Sequence, residues 1–237
     1  MVSFYCEIAK LKRNIACKEA HGNIRKWNDA IRVLPLSFYT GRLIINSVEK
    51  KEKQGGFTME LESLIREAKE RFGFEEAGAL NVEALEFLPE VRQMCAADRC
   101  RSYNRNWACP PGCGTLEEIA EKVAPYTRGI LVQSVGQLED EFDVETMMET
   151  EQNQKERFAA LVEYVRSQDA DCIPMAAGAC QVCKKCTYPD APCRFPEKSI
   201  PSMEAYGLFV SKVCMQSGMK YNYGKNTIAY SSCILLK

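Results

Sequence analysis

The sequence has 237 residues, of which 46% are hydrophobic and 27% charged, and its formal net charge is −1, values typical of a globular protein. It contains no run of 18 apolar residues, and apolar and charged residues are mixed from Cys6 to Lys18, so neither a transmembrane helix nor a signal peptide is predicted. The 13 cysteines are unusual, but disulfide frameworks are typical of short secreted chains with even cysteine numbers. We therefore expect a cytoplasmic protein whose clustered cysteines bind metal.

The first 58 residues differ in charge from the rest of the chain. They contain 11 Lys and Arg against 5 Asp and Glu, whereas residues 59–237 contain 20 and 27. Residues 54–58 (QGGFT) can be encoded by a sequence containing AGGAGG, a bacterial ribosome-binding site, just upstream of the Met59 codon. We therefore expect a basic N-terminal extension over 1–58 and a cysteine-rich domain over 59–237, with translation starting naturally at Met59. The alternative is a basic arm that binds an acidic partner.

Residues 59–237 predict an α+β fold with mixed α/β elements. Apolar spacing and capping residues predict helices at 59–72, 116–123, 143–167 and 202–217. Thr115 is the expected N-cap of the second helix, and Gly73 and Gly218 are expected to end the first and last helices. Apolar runs predict strands at 77–80, 129–135, 172–177 and 227–236. We expect a small sheet with flanking helices and two cysteine-rich metal-binding loops.

The second of these loops, residues 178–197, contains the sharper motif. Cys180, Cys183 and Cys186 have C-x2-C-x2-C spacing, and Cys193 follows. Short spacers let the backbone present three thiolates to one centre, a pattern typical of [4Fe–4S] sites. Zinc sites more often use two separated C-x2-C pairs or include His, and residues 59–237 contain no His. The motif favours a [4Fe–4S] cluster, with zinc as the alternative.

The first loop, residues 95–114, has looser spacing. Its candidate ligands are Cys95, Cys100, Cys109 and Cys113. Four cysteines in so short a segment, flanked by Trp107 and two prolines, are hard to explain by core packing and favour a second four-thiolate cluster. The alternative is one shared cluster with some of these cysteines beside it.

Other residues near these motifs have more than one interpretation. Cys172, Cys214 and Cys233 lie in predicted strands or helices and are interpreted as small buried hydrophobic side chains. Basic residues flank both loops: Arg92, Arg99, Arg101, Arg105, Lys184, Lys185, Arg194 and Lys198. They would stabilise a negatively charged cluster or recruit an anionic substrate or partner, or they are solvated surface charges.

Two longer motifs surround these cysteines. The first runs from Cys95 through Cys100, Tyr103, Trp107, Cys109-Pro110-Pro111 and Gly114 to Glu118. The second runs from Gly178 through Cys180, Cys183, Cys186, Pro192-Cys193-Arg194 and Pro196-Glu197-Lys198 to Gly207. In these motifs, residues 59–237 resemble the DUF2284 family of predicted metal-binding proteins. The resemblance implies a cytoplasmic metal-binding protein with cysteine ligands, often from anaerobes, and implies no particular reaction.

Three functions fit these observations. The first is an electron-transfer or redox accessory protein with one or two [4Fe–4S] clusters, which needs a redox partner. The second is an enzyme whose cluster has an open iron site, and the third is a zinc-stabilised binding module. No radical-SAM motif, phosphate-binding loop or dinucleotide-binding fingerprint occurs, and without His in 59–237 no Ser-His-Asp triad can form there. The acidic balance of this segment makes nucleic acid an unexpected partner.

Overall fold

The structure, a computed structural model, describes residues 60–168 and 170–237. Four strands form an antiparallel sheet in this part of the chain: β1 (Glu76–Ala79), β2 (Arg128–Gln137), β3 (Cys172–Met175) and β4 (Thr227–Leu236). Their order in the sheet is β1-β2-β4-β3. The α-helices are α1 (Leu61–Glu70), α2 (Pro89–Ala96), α3 (Leu116–Val123), α4 (Val144–Ser167) and α5 (Val210–Gln216). The expected α+β fold is confirmed. The extension predicted over 1–58 lies outside the described residues.

Helices pack on both faces of the sheet because successive strand residues point to opposite sides. Ile130 and Val132 of β2 pack in one apolar cluster with residues of α1 and α4, such as Leu64 and Phe158. Leu131, between them, packs in a second cluster with residues of α3 and α5. The central strands β2 and β4 are thus buried from both sides and form a rigid support for the loops that leave the sheet.

The capping residues define the two best-predicted helices. The Thr115 side chain accepts a hydrogen bond from the Glu118 backbone N–H at 3.2 Å, and the Glu118 carboxylate accepts one from Thr115 N at 2.8 Å, which is a complete capping box. At α4 the Asp143 carboxylate accepts from Thr146 N at 3.0 Å. The predictions for 116–123 and 143–167 are therefore confirmed, the second with Asp143 as its N-cap.

The helix predicted over 202–217 is wrong, because Gly207 divides it. A 3-10 turn covers Glu204–Tyr206, Gly207 follows with φ +81°, and α5 begins only at Val210. A Cβ on Gly207 would lie 3.1 Å from Leu88 N, and Leu88 N donates to Gly207 O at 2.9 Å. This close approach joins the turn to the start of α2.

The prediction of loop over all of 95–114 is also corrected at its start. Cys95 and Ala96 form the last turn of α2, which begins with Pro89 at its first position. The hydrophobic spacing in this short helix is weak, since Val91 alone is buried in it.

In the described part of the chain, no helix has the length and apolar character needed to cross a membrane.

Candidate metal centres

The second cysteine loop leaves the sheet at the end of β3 and returns to the same place. Ala176 forms an isolated parallel bridge with Ser202, in which Ala176 N donates to Pro201 O at 2.8 Å and Met203 N donates to Ala176 O at 3.1 Å. These bonds fix both ends of the loop at the sheet edge. The cysteines between them are therefore presented on an anchored segment.

All four cysteines of this loop line one cavity of about 530 Å³, here called the second cavity; they are Cys180, Cys183, Cys186 and Cys193. Hydrogen bonds within the loop shape it, since Thr187 Oγ1 donates to Pro192 O at 2.8 Å and Arg194 Nη1 donates to Lys185 O at 3.0 Å. The turn between Thr187 and Pro192 reverses the chain, and Cys193 lines the same cavity as Cys186. The loop thus places the four sulfur-bearing residues around one space.

The first cysteine loop lines a different cavity, of about 450 Å³, here called the first cavity. Cys95, Cys100 and Cys109 contribute to its wall, together with the polar residues Arg99, Tyr103, Ser202, Glu204, Ser211 and Tyr221. The rest of the wall is largely apolar. Cys113 is not part of this wall: its Sγ donates to Ala205 O at 3.5 Å, and its side chain packs against the apolar cluster on this face of the sheet.

The two loops form one packed unit. The Trp107 indole donates to Ala191 O at 3.0 Å, and its ring contacts Tyr188 edge-on, with centroids 4.8 Å apart. The Tyr188 hydroxyl donates to Asn104 Oδ1 at 3.1 Å. A third link is the bond from Asn106 Nδ2 to Cys180 O, at 3.0 Å. The relative position of the two sets of cysteines is therefore fixed by direct contacts between their loops.

Burial and the neighbouring thiols both raise the pKa values of cysteines in the first loop. Burial raises the pKa of Cys109 to about 12, and the charges of Cys100, Cys113, Cys95 and Cys180 add to this shift. Burial likewise raises the pKa of Cys95 and of Cys113, while the Arg92 guanidinium lowers both. Cys180 is a member of the second loop, so thiols of both loops influence one another. Mutual repulsion of thiolates in this region would be relieved by a bound cation.

Arg92 is the cation whose charge acts on the thiols of Cys95 and Cys113. Its Nη2 donates to Gly114 O at 2.9 Å, but its Nε is buried and lacks a hydrogen-bond partner among the described residues. A buried guanidinium donor without an acceptor is costly, and a thiolate or sulfide beside it would supply that acceptor.

Convergence on a single ion is not seen. Within residues 60–168 and 170–237, no three His, Cys, Asp or Glu side chains meet as one metal ion would require, and every cysteine there is a free thiol. The structure thus places seven of the eight predicted ligands in two cavity walls, with Cys113 outside both, rather than in a closed four-sulfur cage.

The three remaining described cysteines are separate from these cavities. Cys214 and Cys233 are fully buried, which confirms their interpretation as core residues, and Cys172 is half-buried. Cys214 Sγ lies 3.6 Å from Ser231 Oγ and 3.5 Å from Gln133 Nε2. Two tyrosines lie near the first loop: Tyr103 lines the first cavity, and Tyr206 is buried in the core.

Sequence reasoning did not identify Asn106 or Gly112. A Cβ on Gly112 would lie 2.8 Å from Asn106 O and 2.9 Å from Tyr188 Cε2, so this position has no space for a side chain. Both residues act through contacts between the two loops. Such contacts leave no recognisable residue spacing in a single sequence, so they could not be predicted.

Comparison with known proteins gives the family. The chain belongs to the DUF2284 family, described as predicted metal-binding protein, whose model matches residues 78–236 and so includes both cysteine loops. The resemblance of the sequence motifs to this family is confirmed. No curated protein and no solved structure matches this chain.

Proposed function

We propose that this chain is an iron–sulfur protein that carries a [4Fe–4S] cluster at each cysteine loop and serves in electron transfer in the reducing cytoplasm. The observation that carries the proposal is the second cavity, whose wall contains all four cysteines of the C-x2-C-x2-C motif and its following cysteine. Three closely spaced cysteines and one more distant cysteine are the usual ligands of such a cluster.

The residues present fit this group. The donor set is eight thiols with no His among residues 59–237, and thiolates are the ligands of iron–sulfur clusters. Cavities of about 450 and 530 Å³ offer space for a multinuclear cluster rather than one ion alone. The unpaired Arg92 Nε provides a donor beside Cys95 and Cys113, suited to the sulfur of a negatively charged centre.

When bound, such clusters accept and release single electrons. The chain's own residues would hold the ligands and tune their charge. Cys180, Cys183, Cys186 and Cys193 would hold one centre, and Cys95, Cys100, Cys109 and the adjacent Cys113 the other. Arg92 would stabilise negative charge at Cys95 and Cys113 by Coulomb attraction. The Trp107–Tyr188 contact would hold the two loops in a fixed relation, which suits electron exchange between neighbouring centres.

The test is anaerobic purification of the full chain, with iron, sulfide and zinc assays and visible spectra before and after dithionite. Two clusters predict about eight iron and eight sulfide per chain and a broad band that bleaches on reduction. Cys183→Ser should remove the iron of one centre, whereas Cys172→Ser, a matched change outside both cavities, should keep all of it. Colourless protein with stoichiometric zinc and no sulfide, even after reconstitution, would assign a zinc-stabilised binding module instead.

A second candidate function, reduction of a small molecule at the first centre, is favoured by the first cavity. Three cysteines rather than four line its wall, beside Glu204, Tyr103 and an apolar surface. An open iron site there predicts that Cys113→Ser keeps its iron and that cyanide, as a probe ligand, changes the electron paramagnetic resonance of the reduced protein. Loss of that iron in Cys113→Ser would show four cysteine ligands and remove this candidate.

A further inference from the structure

The charges around the second cavity are opposite to those of the domain that carries it. The two cysteine loops contain six Lys and Arg against three Asp and Glu, whereas residues 59–237 as a whole contain 20 and 27. Arg101, Arg105, Lys184 and Lys185 line the second cavity, and all four are exposed. The cysteine loops therefore form a basic surface on an acidic domain.

These cations are largely uncompensated. Arg105 forms an ion pair with Asp98 at 3.2 Å, but no ion pair of Arg101, Lys184 or Lys185 occurs within the described residues. The acidic residues of the second loop, Asp190 and Glu197, are not part of the cavity wall. A surface with several unpaired like charges attracts an oppositely charged molecule and accelerates its association.

Apolar side chains lie among these charges. Val182 is 42% exposed and Phe195 is 40% exposed, and both line the second cavity together with the cysteines. Exposed aliphatic and aromatic side chains surrounded by charged residues are typical of protein interfaces, where the apolar centre is buried and the charged rim directs the approach. The phosphate backbone of a nucleic acid would gain little binding energy from contact with Val182, so the apolar side chains favour a protein partner.

We propose that the surface formed by Arg101, Val182, Lys184, Lys185 and Phe195 is the docking site of an acidic electron-transfer protein. The proposal rests on the iron–sulfur function proposed above and names its partner class. Docking at this place would set the partner's redox centre against the cysteines of the second cavity. One electron would then pass between the two centres, one being oxidised as the other is reduced, without transfer of a proton or a group.

The test measures binding of two acidic probe proteins, a flavodoxin and a low-potential ferredoxin, to the reconstituted full chain by isothermal titration calorimetry at low and at physiological ionic strength. We expect at least one probe to bind, and its affinity to fall with salt. Lys184→Glu/Lys185→Glu should weaken binding about tenfold or more and reduce its salt dependence. Val182→Ser/Phe195→Ser should weaken binding while the salt dependence remains.

The matched control is Arg66→Glu/Lys225→Glu, which makes the same change in net charge at two exposed positions. Arg66 lies on α1, which packs against β1 at the opposite edge of the sheet from β3, and Lys225 lies in the turn before β4. Equal binding by the control and the Lys184/Lys185 variant would overturn the proposal, as would failure of both probes to bind. Binding of a mixed-sequence oligonucleotide through this surface, with neither probe bound, would assign nucleic acid instead.

Iron and sulfide assays of every variant distinguish a loss of docking from a failure of the iron–sulfur proposal. A variant that keeps its full iron and bleachable spectrum but loses probe binding supports the docking surface. A wild-type chain without iron and sulfide contradicts the iron–sulfur proposal itself, whatever the binding result.

Discussion

Asn106 donates a hydrogen bond from Nδ2 to the backbone carbonyl oxygen of Cys180, at 3.0 Å, and thereby ties the first cysteine loop to the second. The same side chain accepts a bond from Ala108 N through Oδ1, at 2.9 Å. One buried amide thus determines the local backbone of one loop and the position of the first cysteine of the other.

Asn106→Asp is expected to separate these two roles. Aspartate retains the acceptor for Ala108 N but replaces the donor to Cys180 O with a negatively charged oxygen. Loss of a buried hydrogen bond of this kind costs about 1–3 kcal/mol, so the free energy of unfolding should fall by that amount and iron should be released faster to a chelator. Urea unfolding and chelation rates provide the measurement.

The control for that prediction is Asn104→Asp in the same loop. Its Oδ1 accepts from the Tyr188 hydroxyl, a bond that a carboxylate can also accept, and its backbone has φ +53°, a region that Asp tolerates. If Asn104→Asp proved as harmful as Asn106→Asp, added negative charge rather than the lost donor would be responsible.

Gly112→Ala is expected to disturb both loops at once. The new methyl group would lie 2.8 Å from Asn106 O and 2.9 Å from Tyr188 Cε2, distances that force the backbone or the ring to shift. Overpacking of this kind costs about 1–3 kcal/mol, and the stability loss in thermal unfolding should be accompanied by reduced metal content.

Gly218→Ala provides a comparison for the glycine substitution. A Cβ there meets no atom within 4 Å, but the residue has φ +72°. For Gly218→Ala, the free energy of unfolding should fall by about 1 kcal/mol because of backbone strain alone, and the variant should retain its metal. Equal metal loss in both variants would contradict the steric explanation for Gly112.

Thiol reactivity in the metal-free protein should follow burial. Cys100 is exposed, whereas Cys233 is fully buried and burial raises its pKa far above neutrality. Because the thiolate is the reactive species, a raised pKa leaves less of it at a given pH. At pH 8, iodoacetamide should therefore modify Cys100 well before Cys233, as followed by mass spectrometry of peptides. Cys233 should react once the protein is unfolded in denaturant, and rapid modification of native Cys233 would show that the sheet is not intact without metal.

Thr115→Ala should weaken the capping box at the start of α3. The threonine hydroxyl accepts from Glu118 N, and its loss typically costs about 1 kcal/mol. Chemical denaturation should show this decrease in the free energy of unfolding. Thr115→Ser, which keeps the hydroxyl, should recover most of the lost stability. A Thr115→Ser variant no more stable than Thr115→Ala would indicate that the methyl group's packing, not the cap, is important.

The sequence predicted the elements whose signals are local. The strand expected at 227–236 has those bounds in the structure, because all ten residues pair with β2 and the last six of them are buried. Likewise, Thr115 and Glu118 are separated by the spacing that a capping box requires, so the limits of α3 could be read directly.

The errors arose where tertiary contacts override local pattern. Apolar spacing continues through Gly207, but the close approach of Leu88 requires a left-handed turn there and ends the helix. The cysteine spacing indicated one or two centres, yet it contained nothing about Asn106, Trp107 and Tyr188 holding the loops together. Such contacts depend on which loops meet after the sheet has formed.

The bridge between Ala176 and Ser202 has a consequence for solubility as well as for the placement of the second cysteine loop. β3 is an outer strand, and exposed outer strands can recruit strands from other molecules. Two features protect this one: Pro174 offers no N–H, and the returning chain at Ser202 covers the backbone just beyond Met175. A second cysteine loop loosened by metal loss would uncover this edge, so metal depletion is expected to promote self-association through β3.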